Sequence, residues 1–159
     1  MVPNENRDRA DIPFPPPLIF FAVLALGSGL EYVFPTRPIH SPRAGCIITG
    51  LLLAVGAGIL AAAAFAALLR NKTTFNPSKP TTTIVRSGPF RFSRNPLYLA
   101  LVLLHAGIAA GCCSLWLFCS SLVLLLILDV VVVRREEDYL SRKFGETYLM
   151  YKATVRRWL

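Results

Sequence analysis

The chain has 159 residues, the length of one domain, and is 54% hydrophobic with only 16% charged residues, well below the roughly 25% usual in soluble domains. Its formal charge of +8 would point to nucleic acid in a soluble protein, but the basic residues sit between and after long apolar runs, and no soluble basic module is present to read bases. Cys46, Cys112, Cys113 and Cys119 lack metal-ligand spacing, which argues against a metal site.

Residues 1–16 are polar and then proline-rich, a segment expected to be disordered or to lie on the membrane surface. The first apolar run has no clean small-residue exit and ends in Glu31-Tyr32-Val33-Phe34-Pro35, so it reads as a retained helix rather than a signal peptide. Helix one is predicted over 17–34, opening on prolines that cost little in a first turn. Glu31, near its end, can reach headgroups. A proline-rich loop leads to helix two, predicted over 44–69, long enough to cross the ~30 Å core with some tilt. Gly50, Ala54, Gly58, Ala62 and Ala66 recur every four residues, a stripe that lets another helix approach within a monomer or across a homodimer. Gly56-Ala57-Gly58-Ile59-Leu60-Ala61 matches a dinucleotide-binding pattern, but it has no strand before it and reads as helix packing.

Residues 70–96 form the longest polar stretch, with Arg70, Lys72, Lys79, Arg86, Arg91 and Arg94 and no acidic residue. Asn76-Pro77, Lys79-Pro80 and Ser87-Gly88-Pro89 are helix breakers. Helix three, predicted over 97–113, and helix four, over 115–133, form a hairpin. His105 stands alone in helix three and reads as an interior histidine. The tail, 134–159, is charged and helical in pattern as far as Tyr151. A disulfide from Cys46 to Cys112 or Cys113 on the outer face is compatible with this layout.

The fold class is therefore all-α: an integral membrane protein of about four transmembrane helices with a C-terminal helix. Two Lys or Arg precede helix one, two lie in the first loop, six in the second, none in the third and seven in the tail. Fifteen of the seventeen thus share a side if both termini are cytoplasmic, the orientation the positive-inside rule favours. The 70–94 segment and the tail can then meet.

Three features there could carry chemistry. Ser87 to Tyr98 places a turn, two arginines, two aromatics and a polar pair where helix three enters the membrane. It reads either as a cavity-lining segment or as a basic anchor with interfacial aromatics. Glu136-Glu137 lies directly below helix four, where adjacent carboxylates are costly unless paired. The basic segment could supply partners, and the alternative is a solvated helix end. Asp129, seven residues earlier on a similar helical face, is expected to point into the same cavity. Phe144-Gly145-Glu146-Thr147-Tyr148-Leu149-Met150-Tyr151 reads as a kink followed by a packing face with no direct chemistry.

Taken together, Ile84 to Tyr98, the hairpin, Glu136-Glu137-Asp138-Tyr139-Leu140 and the Phe144-Gly145…Tyr148…Tyr151 run resemble the isoprenylcysteine carboxyl methyltransferase family and related phospholipid methyltransferases, over roughly residues 81–155. The family pattern has Tyr and His where this chain has Phe90 and Asn95. The resemblance implies a membrane methyltransferase using S-adenosyl-L-methionine, with a cofactor-binding loop before helix three. By position it implies a cofactor site of Thr83, Ile84, Val85, Phe90, Asn95, Pro96, Leu97, Tyr98 and Glu136, with Arg94, Glu136 and Glu137 in catalytic roles. The implied partner is a lipophilic small molecule or membrane lipid, an isoprenylcysteine-like carboxylate, a phospholipid amine or another small hydrophobic nucleophile, taking a methyl on oxygen, nitrogen or sulfur. Val132 stands where prenylcysteine enzymes carry an arginine associated with substrate, which argues against a free prenylcysteine carboxylate. A non-enzymatic helical membrane protein, such as a transporter subunit or assembly factor, is one alternative, but it does not explain why the loop and the glutamate pair share one face. A sterol-reductase-like enzyme with a similar loop is another, against which the short chain and missing N-terminal helices argue.

Overall fold

The computed structural model describes residues 12–36, 43–71, 73 and 83–159. Most of the N-terminal segment 1–16, residues 37–42 of the first loop, and residues 72 and 74–82 of the second, with their Asn76-Pro77 and Lys79-Pro80 breakers, lie outside the described residues.

The described chain is all-helical. The helices are α1 (Pro16–Val33), α2 (Arg43–Arg70), α3 (Pro96–Cys112), α4 (Leu115–Ile127), α5 (Arg134–Phe144) and α6 (Glu146–Thr154). A 3-10 turn, Gly88–Arg91, precedes α3. A π turn, Leu128–Val133, joins α4 to α5, so the helix expected to end at 133 continues to Phe144. Pro16–Val33, Arg43–Arg70 and Leu115–Phe144 are long and apolar enough to cross a membrane. α3, with 17 residues, is a shorter apolar helix. At 1.5 Å per residue it covers about 26 Å, the lower limit for a span. This is a multi-pass membrane architecture.

α1 packs on α4, α4 on α3 and α3 on α2. Ile19, Phe20 and Val23 of α1 meet Leu124, Leu128 and Val132 in the main apolar core. Leu51, Leu52, Val55 and Ile59 of α2 and Leu122 and Leu126 of α4 are exposed, as suits helices whose outer surface faces lipid.

The α2–α3 seam depends on glycine. A Cβ on Gly50 would stand 2.7 Å from the Gly107 carbonyl oxygen and from the Gly111 backbone. Bare backbone is what allows this approach. The predicted four-residue stripe meets α3 only at its start. Buried positions on α2 run Gly50, Ala57, Ala64, Ala67 and Leu68, while Gly58, Ala62 and Ala66 are exposed. A four-residue step overshoots the 3.6-residue turn by about 40° each time, so the stripe rotates off the seam. The glycine pattern at 56–61 lies within α2, as expected, with open space around Gly56 and Gly58.

One end of the bundle is latched. Glu31 accepts hydrogen bonds from the Ser114 hydroxyl and from the Thr36 backbone N–H at 2.7 Å. It therefore joins α1 to the α3–α4 turn instead of reaching for headgroups. Cys46 and Cys113 are joined by a disulfide with Cα atoms 5.8 Å apart. His105 is fully buried, with Nδ1 3.0 Å from Ser121 Oγ. The Ser121 hydroxyl already donates to the Leu117 carbonyl, so Nδ1 carries the proton. Nε2 has no hydrogen-bond partner, and the ring meets Phe20 edge-on at 5.6 Å. This interior histidine is satisfied on one nitrogen.

Candidate functional site

At the opposite end, a cavity of about 640 Å³ lies between the loop before α3, the start of α1, α2, α3, α5 and α6. Thr83, Ile84, Val85, Phe90, Arg94, Asn95, Pro96, Leu97, Tyr98, Glu136 and Glu137 all line it. The sequence-predicted site residues are thus brought together around one space.

The loop is fastened on two sides. Val85 clusters with Ala67 and Leu68 of α2, and Phe90 and Leu97 pack on that cluster. On the other side it is stitched to residues 155–158. The Arg94 N–H donates to the Arg156 carbonyl at 3.0 Å, and Ser93 Oγ and Asn95 Nδ2 donate to the Arg157 carbonyl at 3.2 and 3.0 Å. Ser93 Oγ also accepts from the Asn95 N–H, and Pro96 opens α3. Proline there needs no hydrogen-bond partner and carries a helical φ. The Tyr151 hydroxyl donates to the Phe90 carbonyl at 2.8 Å.

The two glutamates have separate surroundings. Glu136 accepts a 2.9 Å hydrogen bond from the Tyr98 hydroxyl, and no basic side chain pairs with it among the described residues. Glu137 is buried and surrounded by cations. Arg157 grips it with two bonds, Nε to Oε1 at 3.0 Å and Nη2 to Oε2 at 2.9 Å. Arg94 Nη1 lies 2.8 Å from Oε1, and Lys152 Nζ 3.5 Å from Oε2. The Arg94 side chain is only 9% exposed. Its Nε has no hydrogen-bond partner, and its Nη1 contact with Glu137 lacks hydrogen-bond directionality. A buried N–H donor left unmade is costly, which marks this guanidinium as a group built to meet an acceptor.

Asp129 does not line the cavity. It binds Arg157 Nη1 at 3.2 and 3.3 Å, the Trp158 indole N–H at 3.1 Å and Arg134 at 3.2 Å. The π turn accounts for the difference. It takes more residues to complete a turn than an α-helix does, so seven residues no longer bring Asp129 and Glu136 to one face.

α6 contributes more than packing, since Tyr148 and Tyr151 also line the cavity. Burial, reinforced by the Glu137 carboxylate, pushes the Tyr148 phenol up to about 12, with Arg94 opposing the shift. Burial and then Tyr148 push Tyr151 up further. Both phenols are therefore neutral donors at any working pH. Arg157 and Trp158 have no motif to announce them. The one available signal is that two adjacent carboxylates near lipid require more cations than Arg94 alone.

The loop, the glutamate pair and the hairpin between them lie within residues 46–147, which match the family model described as "Phospholipid methyltransferase". The chain belongs to the phospholipid methyltransferase family. That membership favours methyl transfer over the transporter-subunit and sterol-reductase alternatives. A Haemophilus influenzae chain named "Uncharacterized protein" is 40% identical over 63 residues, 40% of this chain and 97% of that one. No solved structure matches.

Proposed function

We propose that this family member is an S-adenosyl-L-methionine-dependent enzyme that methylates a lipophilic acceptor drawn from the membrane. The observation that carries the reading is the buried, unpartnered Nε of Arg94 on a cavity that also holds Glu136 and the aromatic rings of Phe90, Tyr98, Tyr148 and Tyr151. The donor set fits the cofactor. A guanidinium suits the carboxylate of its amino-acid end, a carboxylate suits the ammonium, and aromatic faces suit an adenine and a sulfonium. Arg94 would take the carboxylate, and Thr83, Ile84, Val85, Asn95, Pro96, Leu97 and Tyr98 would form the wall.

When bound, S-adenosyl-L-methionine supplies an electrophilic methyl group on a sulfonium sulfur. The chain's own residues orient, desolvate and manage a proton. Ala54, Ala57, Ala61, Leu101 and Leu104 give the cavity an apolar side suited to a hydrocarbon chain. Glu136, with a phenol rather than a cation as partner, is the group placed to accept a proton from an acceptor amine or thiol. Glu137 is committed to three cations, so its role is to hold Arg94 in place. Val132 is fully buried in the apolar core and offers no charge for an acceptor carboxylate. An amine or a thiol is accordingly favoured over a carboxylate as acceptor.

Both termini would face the cytoplasm. The disulfide lies at the end opposite the basic loop and tail, which suits an oxidising outer compartment. The test is calorimetry of S-adenosylhomocysteine with the detergent-purified chain, beside Glu136→Ala and Tyr98→Ala. Wild type binds and both variants bind more weakly. Absence of wild-type binding by folded protein rejects the cofactor. Methyl-labelled cofactor incubated with total membrane lipid then identifies the acceptor.

A further inference from the structure

Arg157 engages two carboxylates at this end of the bundle, yet it does not line the cavity. Its guanidinium holds both oxygens of Glu137 and both oxygens of Asp129, and its carbonyl receives Ser93 and Asn95. We infer that Arg157 is a positioning residue that occupies Glu137 and so leaves Arg94 free for a carboxylate in the cavity.

The geometry supplies the reason. Glu137 Oε1 already lies 2.8 Å from Arg94 Nη1, while Arg94 Nε is bare. A carboxylate released from Arg157 can turn end-on onto Arg94 and take Nη1 and Nη2 together, one of the two-bond geometries of such pairs, which spends the Nη2 that an incoming carboxylate would need beside Nε. Lys152 cannot prevent this: it is 3.5 Å away, 43% exposed, and presents a point charge rather than a fork. Asp129 and the two carbonyl bonds keep the Arg157 head and backbone from following Glu137. Arg157 thus separates two roles that Glu137 would otherwise merge, anchoring Arg94 and neutralising it.

This assignment rests on the cofactor reading, and binding separates the two. S-adenosylhomocysteine is titrated into the full-length protein in detergent, with size exclusion confirming a folded, monodisperse sample. Arg157→Ala weakens binding roughly ten- to hundredfold, the scale of coupled ion-pair networks. The double variant Glu137→Gln with Arg157→Ala recovers most of that loss, because an amide has no charge with which to close on Arg94. A purely structural arginine would predict a double variant no better than the single one, and that result overturns the assignment. So does an Arg157→Ala protein that binds like wild type. If Arg157→Ala does not fold, Arg157→Lys decides: it keeps the charge without the fork and binds several-fold more weakly, and wild-type affinity in that variant overturns the assignment. Failure of wild type to bind overturns the cofactor reading and this one with it.

Discussion

Glu136 and Glu137 are adjacent, yet one faces a phenol and the other three cations. The pair is legible in sequence, because two carboxylates beside an apolar helix demand an explanation. The division of labour is not, since the groups that create it come from residues 94, 98, 152 and 157. Tyr148 reports on this environment from outside the membrane. The residue is 2% exposed, and its phenol is raised to about 12 by burial and by Glu137. In the unfolded chain a tyrosine titrates near 10. Below about pH 10 both states keep the proton and the folded protein is fully stable. Between about 10 and 12 the unfolded state releases the proton and the folded state does not, so stability falls as pH rises, with the slope of one proton. Tyr148→Phe removes that one-proton contribution and leaves the one from Tyr151, whose phenol is also raised. Thermal unfolding in detergent across about pH 9 to 12 measures it. A constant difference between the two proteins over that range contradicts a buried phenol beside Glu137.

At the scale of the helix, positions that look alike in sequence differ because period and register decide where they face. Gly50 and Gly56 both sit in a small-residue stretch of α2. A methyl on Gly50 meets the α3 backbone at 2.7 Å, whereas one on Gly56 meets nothing within 4 Å. Gly50→Ala is expected to cost about 1–3 kcal/mol, the usual cost of overpacking where backbone cannot yield. Gly56→Ala is expected to be neutral or stabilising by up to about 1 kcal/mol, because alanine is the better helix former. Parallel thermal melts of the two variants test this, and equal melts would place α3 elsewhere. The helices themselves are readable to within about a residue at most ends, because apolar run length and proline set them. The π turn is not. Leu-Asp-Val-Val-Val-Val is an unremarkable apolar run, and only its tertiary setting widens the helix by a residue. That one residue is why Asp129 faces the tail and not the cavity.

For the molecule as a whole, chemistry and fastening sit at opposite ends. The loop before α3, the glutamate pair and α6 enclose the cavity, while Glu31, Ser114 and the Cys46–Cys113 disulfide tie α1, α2 and the α3–α4 turn at the far end. Charge counting makes this polarity legible, since it brings the basic segment and the tail to one face. It does not identify which cysteine pairs with Cys46, because Cys112 and Cys113 are neighbours. The choice follows from the left-handed backbone at Cys113, φ 49°, which ends α3 and turns that side chain toward α2 while Cys112 stays exposed. The bond closes a loop with a sequence separation of 67 residues that contains the whole of the segment before α3. Cross-linking a loop of that size limits the unfolded chain and is worth about 2–5 kcal/mol. The paired variant Cys46→Ser with Cys113→Ser is therefore expected to melt at lower temperature than wild type under non-reducing conditions, and at the same temperature once wild type is fully reduced. Its affinity for S-adenosylhomocysteine is expected to stay within about twofold of wild type, because sites that share no partners couple by only a few tenths of a kcal/mol. Melting and titration on the same preparation measure both. A variant that melts like oxidised wild type would mean the two cysteines are not bonded in the protein. One that stays stable but loses affinity would mean that the two ends are coupled along α2 and α3, whose glycine seam is the rigid connection between them.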